Sequence, residues 1–138
     1  MTISQKTAAE TMELLGQTPD AQLVDVRSRA EFAFVGVPDL SGIDRQVVLL
    51  PIRDYPDMQP DPQFADLLDS RLPEGSGTVC FICRSGARSM EAARLFAAQH
   101  PEATVVNVSD GFEGDLDWQG HRGNVNGWKQ SGLPWRQS

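Results

Sequence analysis

Four nearly unbroken apolar runs, Leu23–Val26, Val47–Ile52, Thr78–Ile82 and Ala103–Val108, recur along the chain with segments of helical character between them. A strand apolar on both sides has to be covered on both faces, which is the habit of parallel sheets rather than of half-solvated antiparallel ones. Strand and helix in alternation imply right-handed crossovers. The expected fold is therefore α/β: a three-layer sandwich whose central, mainly parallel sheet is flanked by helices. At 138 residues the chain has the size of one domain, and no linker or internal repeat divides it, so a single domain over 1–138 is expected.

The intervening segments carry their own signals. Ser4 can cap a helix running to Gly16, with Ala8, Met12 and Leu15 at helical spacing. After the first apolar run, residues 30–35 suggest a short helix before a Gly/Pro-rich stretch from Gly36 to Gly42. Asp61-Pro62 is an N-cap followed by proline at the first helical position. Phe64, Leu67, Leu68 and Leu72 form the buried stripe of that helix. A further helix follows the third run and ends near Gln99. The tail from Gly120 to Ser138 reads as irregular chain with a helical turn near Gly127 to Ser131.

Composition excludes several classes. With 12 Lys+Arg against 19 Asp+Glu the net charge is −7, and an acidic chain repels phosphate backbones, so no nucleic-acid partner is expected. No apolar run approaches the ~18 residues a membrane helix needs, so no membrane partner is expected either. The polar N-terminal stretch shows no signal peptide, and two cysteines are too few for a disulfide scaffold. A reducing, cytoplasmic location is expected.

The chemistry concentrates in Cys83-Arg84-Ser85-Gly86-Ala87-Arg88-Ser89, between the third strand and its helix. In open α/β sheets this end of the strands is where ligands bind, and Asp25 to Ser28 and Ser109 to Gly111 fall at the same rim. N–H groups at a helix start and in a tight loop make an anion-binding nest, to which Arg84 and Arg88 add two cations. Each favours thiolate over thiol at Cys83, and the thiolate is the nucleophile. The spacing is C-x4-R. Cysteine phosphatases use C-x5-R to encircle a phosphate, and here that position is Ser89, so the cradle suits a single sulfur atom better than a phosphoryl group.

This loop resembles the active-site loop of the rhodanese family of sulfurtransferases. Leu23-Val24-Asp25-Val26-Arg27 with Glu31-Phe32 resembles that family's first strand and helix. Asn107-Val108 to Gly111-Phe112, and Gly127-Trp128 with Gly132 to Trp135, resemble its C-terminal part. The resemblance implies a rhodanese-like sandwich around a five-stranded parallel sheet. It also implies that Cys83 takes a sulfane sulfur from a small anionic donor such as thiosulfate and passes it, as a persulfide, to a thiol or protein acceptor. By the same resemblance the amides of Arg84, Ser85, Gly86, Ala87 and Arg88 hold the persulfide, the two arginines attract the donor, and Arg88 closes the loop. Asp25 and Arg27 match positions supporting the rim; they are taken, with Ser89, as structural rather than catalytic. No organic cofactor or metal is implied, and the oligomeric state stays open. Many members carry Gly-His-Ile after the first helix, whereas Gly36 to Ile43 here contains no histidine.

Two other functions compete with an enzyme of this kind: a rhodanese-fold module that carries sulfur for a partner with little turnover, and a phosphatase or arsenate reductase on the same scaffold. Cys80 and Cys83 read as C-x-x-C, but Cys80 falls within a strand. The two would point to opposite faces roughly 10 Å apart, so a redox pair is disfavoured. Zinc would need His100 and His121, which are not suitably spaced. His121-Arg122 reads as loop, with a pocket-rim role as the alternative, Trp118, Trp128 and Trp135 as rings docked by the tail rather than lining a site, and Asp110, Glu113, Asp115 and Asp117 as solvated surface rather than a calcium site.

Overall fold

A computed structural model describes residues 2–138; Met1 lies outside the described residues. The elements in chain order are β1 (Ile3–Lys6), α1 (Ala8–Gln17), β2 (Ala21–Asp25), α2 (Arg29–Phe34), β3 (Val37–Pro38) and β4 (Val48–Leu49). They continue with α3 (Phe64–Arg71), β5 (Thr78–Ile82), α4 (Ala87–Gln99), β6 (Thr104–Val108) and β7 (Trp135–Arg136). Five strands form one sheet in the order β1-β6-β5-β2-β4, with every neighbouring pair parallel. The α/β sandwich expected from the apolar runs is the observed architecture.

Period-two alternation along the strands divides the interior into two cores. Val24 and Val26 of the β2 segment, Val79 and Phe81 of β5, and Cys83 face α3 and α4, where they meet Phe64, Leu68, Ala92, Ala93 and Phe96. Leu23, Cys80, Ile82 and Val106 face the other side, against Ala8 and Leu15 of α1 and the rings of Phe112 and Trp128. Cys80 and Cys83 therefore belong to opposite cores.

The structure corrects the N-terminal expectation. Ile3–Lys6 is not helix but an edge strand, pairing from Ile3↔Val105 to Lys6↔Val108. The helix is capped by Thr7 rather than Ser4. The Thr7 hydroxyl accepts from Glu10 N–H, and the Glu10 carboxylate accepts from Thr7 N–H, a capping box. Asp61 likewise caps a turn ahead of its helix, accepting Gln63 N–H at 2.9 Å, and α3 begins at Phe64. The run 47–52 keeps regular strand only at Val48–Leu49. Leu50 N–H still bonds Asp25 O at 3.0 Å and Ile52 N–H bonds Val26 O at 3.2 Å, with Pro51, which lacks an N–H, between them.

The histidine-free stretch and the tail meet each other. β3 and β7 pair antiparallel, Val37 with Arg136 and Pro38 with Trp135. Trp128 is fully buried and its Nε1–H donates to Pro134 O, whereas Trp118 is 91% exposed, so the tail docks one ring as expected and leaves another in solvent. The Asp110 carboxylate accepts Ala8 N–H at 2.8 Å and Gly127 N–H at 3.0 Å, tying both ends of the chain to the end of β6.

Candidate active site

Cys83 directly follows the buried strand β5, and its backbone is fixed before the loop turns. Phe112 N–H donates to Cys83 O at 2.8 Å, and Glu113 and Gly114 N–H both donate to Arg84 O at 3.1 Å. This strap packs so close that a Cβ on Gly111, where φ is +68°, would overlap the Arg84 carbonyl. On the other side Gly86, at φ +111°, lies against the Ser109 carbonyl, and a side chain there would come within 2.7 Å of that oxygen. Squeezed between two backbones, the loop turns sharply and delivers Gly86 N–H to Cys83 Sγ at 3.1 Å. The first-turn N–H groups of α4, which have no intrahelical partner, begin at the same place.

Sγ is also 3.2 Å from Ser89 Oγ. Ser89 donates to Asn107 Oδ1 at 2.6 Å, and Asn107 Nδ2 donates to Gln5 Oε1 at 2.9 Å, which fixes the amide with its oxygen toward Ser89. With the Ser89 proton committed to Asn107, Oγ is the acceptor for a protonated Cys83 thiol. Burial pushes the Cys80 thiol up to about 12. Its neighbours are those of an inert core residue.

The predicted cations are not equivalent. Arg88 is held bidentate by Glu31, at 2.6 and 3.0 Å, with both side chains largely covered. Glu31 also caps α2 through Ser28 N–H and Oγ–H. Burial pushes the Glu31 carboxyl up, but the hydrogen bonds and charge of Arg88, with the Ser28 bonds, outweigh it and bring it down to about 2. Arg84 is exposed and makes no side-chain hydrogen bond or ion pair among the described residues. Beneath the loop Asp25 and Arg27 form an ion pair with both side chains fully buried. Arg27 donates through Nε and Nη2, the shortest contact being 2.6 Å, and reaches Gly36 O at 2.7 Å. Burial pushes the Asp25 carboxyl up against the opposing pull of Arg27. The guanidinium lies 4.2 Å over the Phe112 ring, the ring of the strap residue that bonds Cys83 O, and its Nη1 has no partner among the described residues.

Above the loop opens a hollow of about 340 Å³, lined by Glu31, Tyr55, Met58, Arg84, Arg88, Glu113 and Arg122. Cys83, 1% exposed, is not in the wall of this hollow, to which its loop contributes Arg84 and Arg88. Tyr55 and Met58 carry no signal in the sequence, Glu113 reads there as solvated surface, and Arg122 as a loop residue whose alternative is a pocket rim. Nothing local marks them, since they arrive from the β4–α3 connection and from the segment after β6. A larger hollow of about 610 Å³ adjoins the mouth through Tyr55, over Phe32, Leu49 and Pro51. Among the described residues no cluster of three or more metal-ligating side chains occurs, and no helix is long and apolar enough to cross a membrane.

A parallel sheet in this order, with a cysteine loop between a central strand and the following helix, is the rhodanese-like fold. A rhodanese-like domain protein from Staphylococcus aureus shares it at a TM-score of 0.56, with 23% identity over 79% of this chain and 87% of that one. The chain belongs to the STR4 middle domain family, whose pattern matches residues 3–138. It is similar over its whole length to Rv0390 from M. tuberculosis, at 43% identity and a TM-score of 0.91, covering 100% of both chains. A protein of Allochromatium vinosum described as a sulfurtransferase is 30% identical over 120 residues, 87% of this chain and 82% of that protein.

Proposed function

We propose that the protein is a sulfurtransferase that carries a sulfane sulfur on Cys83. The observation that carries this reading is the position of Sγ. It accepts the Gly86 N–H just ahead of α4, in a loop whose Arg84 and Arg88 line a hollow together with Arg122. The C-x4-R loop is one residue shorter than the C-x5-R cradle of cysteine phosphatases, which suits one added sulfur better than a phosphoryl group, and the sulfurtransferase of A. vinosum supports the same chemistry. In its thiolate form Sγ attacks the outer sulfur of thiosulfate. The Sγ–S bond forms, the S–S bond of the donor breaks, and sulfite leaves with the electron pair. The persulfide anion is held by the Gly86 N–H and the helix start. A thiolate acceptor then attacks the outer sulfur, and the Cys83 thiolate departs. Asp25, Arg27 and Ser89 support the loop from below, and no step calls for a metal or organic cofactor. A thiol that must cycle through a persulfide and return to the reduced state suits a reducing compartment such as the cytoplasm.

Intact-protein mass spectrometry after incubation with thiosulfate tests the proposal. The wild type is expected to gain one sulfur atom and to lose it to cyanide, while Cys83→Ala gains none. Equal gain by both proteins overturns the assignment of Cys83. Sulfur gained by the wild type but turned over by no small acceptor makes the protein a carrier for a partner rather than a free-standing catalyst.

A further inference from the structure

The charges around the mouth do not cancel evenly. Arg88 is neutralised by Glu31, so the cations left facing the hollow are Arg84 and Arg122, with Glu113 as the remaining carboxylate of the lining. Arg122 is held in place. Its Nη1 donates to Gly114 O at 2.7 Å, and the Gly114 N–H holds Arg84 O, so both cations hang from one strap. The turn that presents it is built from its own acidic residues. Asp117 accepts Gln119 and His121 N–H, each at 2.9 Å, and Asn124 Nδ2–H at 2.9 Å; Gly123 N–H closes onto Glu113 O at 2.9 Å. Asp117, read in the sequence as part of a solvated acidic run, is thus spent on shaping a loop that brings a guanidinium to the mouth. The remaining N–H donors of Arg122 have no partner among the described residues.

We propose that Arg122 is a donor-selecting residue which, with Arg84, grips the oxyanion end of the sulfur donor, so that the site prefers donors carrying a second negative charge away from the transferred sulfur. This rests on the sulfurtransferase reading of Cys83. As the thiosulfate S–S bond breaks, charge collects on the departing sulfite, whose oxygens stay in the mouth while the outer sulfur moves down to Sγ. A guanidinium fork matches such oxygens in a way a point charge does not. A thiosulfonate such as methanethiosulfonate has the same transferable sulfur but carries a methyl group where thiosulfate has its additional charged oxygen. It gains less from Arg122.

The test follows the rate of persulfide formation against donor concentration for wild type, Arg122→Gln and Arg122→Lys. For thiosulfate, Arg122→Gln is expected to lower the second-order rate constant for persulfide formation, read from the low-concentration slope, about tenfold, the effect of losing one charged hydrogen bond. For methanethiosulfonate the fall should stay below about threefold, and Arg122→Lys should recover part of the thiosulfate loss. An equal fall for both donors, no fall for either, or no recovery by lysine overturns the proposal. A second arm does not depend on turnover: calorimetric titration of Cys83→Ser with thiosulfate, with and without Arg122→Gln. If the wild type takes sulfur from no donor, the sulfurtransferase reading fails. The calorimetry still decides the anion grip, which is overturned if Arg122→Gln leaves thiosulfate affinity unchanged.

Discussion

Arg27→Met removes the counter-ion of a fully buried carboxylate while keeping an unbranched side chain of similar reach over Phe112. Asp25 loses its bonds from Nε and Nη2, and no other side chain among the described residues donates to it. Left alone, the carboxylate either stays ionised in an apolar interior or takes up a proton. Protonation sets the ceiling: at pH 7, neutralising a carboxyl of ordinary acidity, pKa ≈ 3.9, costs about 4 kcal/mol, and at pH 5 about 1.5 kcal/mol. Burial already pushes Asp25 up in the wild type, and losing Arg27 removes the opposing pull. A carboxyl raised in the folded state stabilises fully below its unfolded pKa and loses that contribution as pH rises toward the folded value. The variant should therefore be hurt least in acid. With roughly 2.1 cal/mol/K of unfolding entropy per residue over 138 residues, 1 kcal/mol corresponds to about 3.5 °C. Thermal melts should show Arg27→Met as much as about 14 °C below wild type at pH 7 and at most about 5 °C below it at pH 5. A deficit that is the same at both pH values would refute the reasoning, because the lost stability would then have nothing to do with an uncompensated carboxylate.

Three other outcomes are expected. Gly111→Ala forces a side chain at φ +68° into the Arg84 carbonyl, so it should abolish persulfide formation measured by mass spectrometry and lower stability by about 1–3 kcal/mol or more. Ser89→Ala strands Asn107 Oδ1 in the interior and removes the hydroxyl beside Sγ; urea unfolding should show a loss of about 1–3 kcal/mol, with slower persulfide formation. Glu31, depressed to about 2 by Arg88 and Ser28 against its burial, stabilises the fold above its unfolded value near 4.5 and loses that contribution as pH falls from there toward 2. Acid titration by circular dichroism should show Glu31→Gln already weakened at pH 6 and the gap to wild type closing across that window.

The strands and the loop were legible because their signals are local. Residues 23–26 and 78–82 must be apolar on both faces, and the conformation of Cys83–Ser89 depends on its own glycine and on the helix that starts within it. β1 escaped because it is an edge strand whose Ser4 and Gln5 face solvent, leaving Ile3 to pack against the core. The capping box from Thr7 to Glu10 was the signal that placed the helix start. The electrostatics of the mouth were not legible for a different reason. Arg88 meets Glu31 across 57 positions and Ser89 meets Asn107 across 18, and neither spacing means anything until the strands are ordered. Arg122 reaches the mouth through carbonyl contacts that any residue type could accept.

The edge position of β1 sets a schedule for folding. Its partner residues begin at Val105, and the bond from Ala8 N–H to Asp110 spans 102 positions, so during synthesis β1 waits for a segment made about a hundred residues later. Parallel pairings this distant in sequence are slow, because the chain between them must be ordered before they return anything. β2, β5 and α4 can assemble around the cysteine loop earlier, but Asn107 is steadied by Gln5 and Gly127 by Asp110 only when β1 and the tail close onto β6. The surroundings of Cys83 are therefore finished last, and a nascent or partly unfolded chain holds the loop without the framework that orders it.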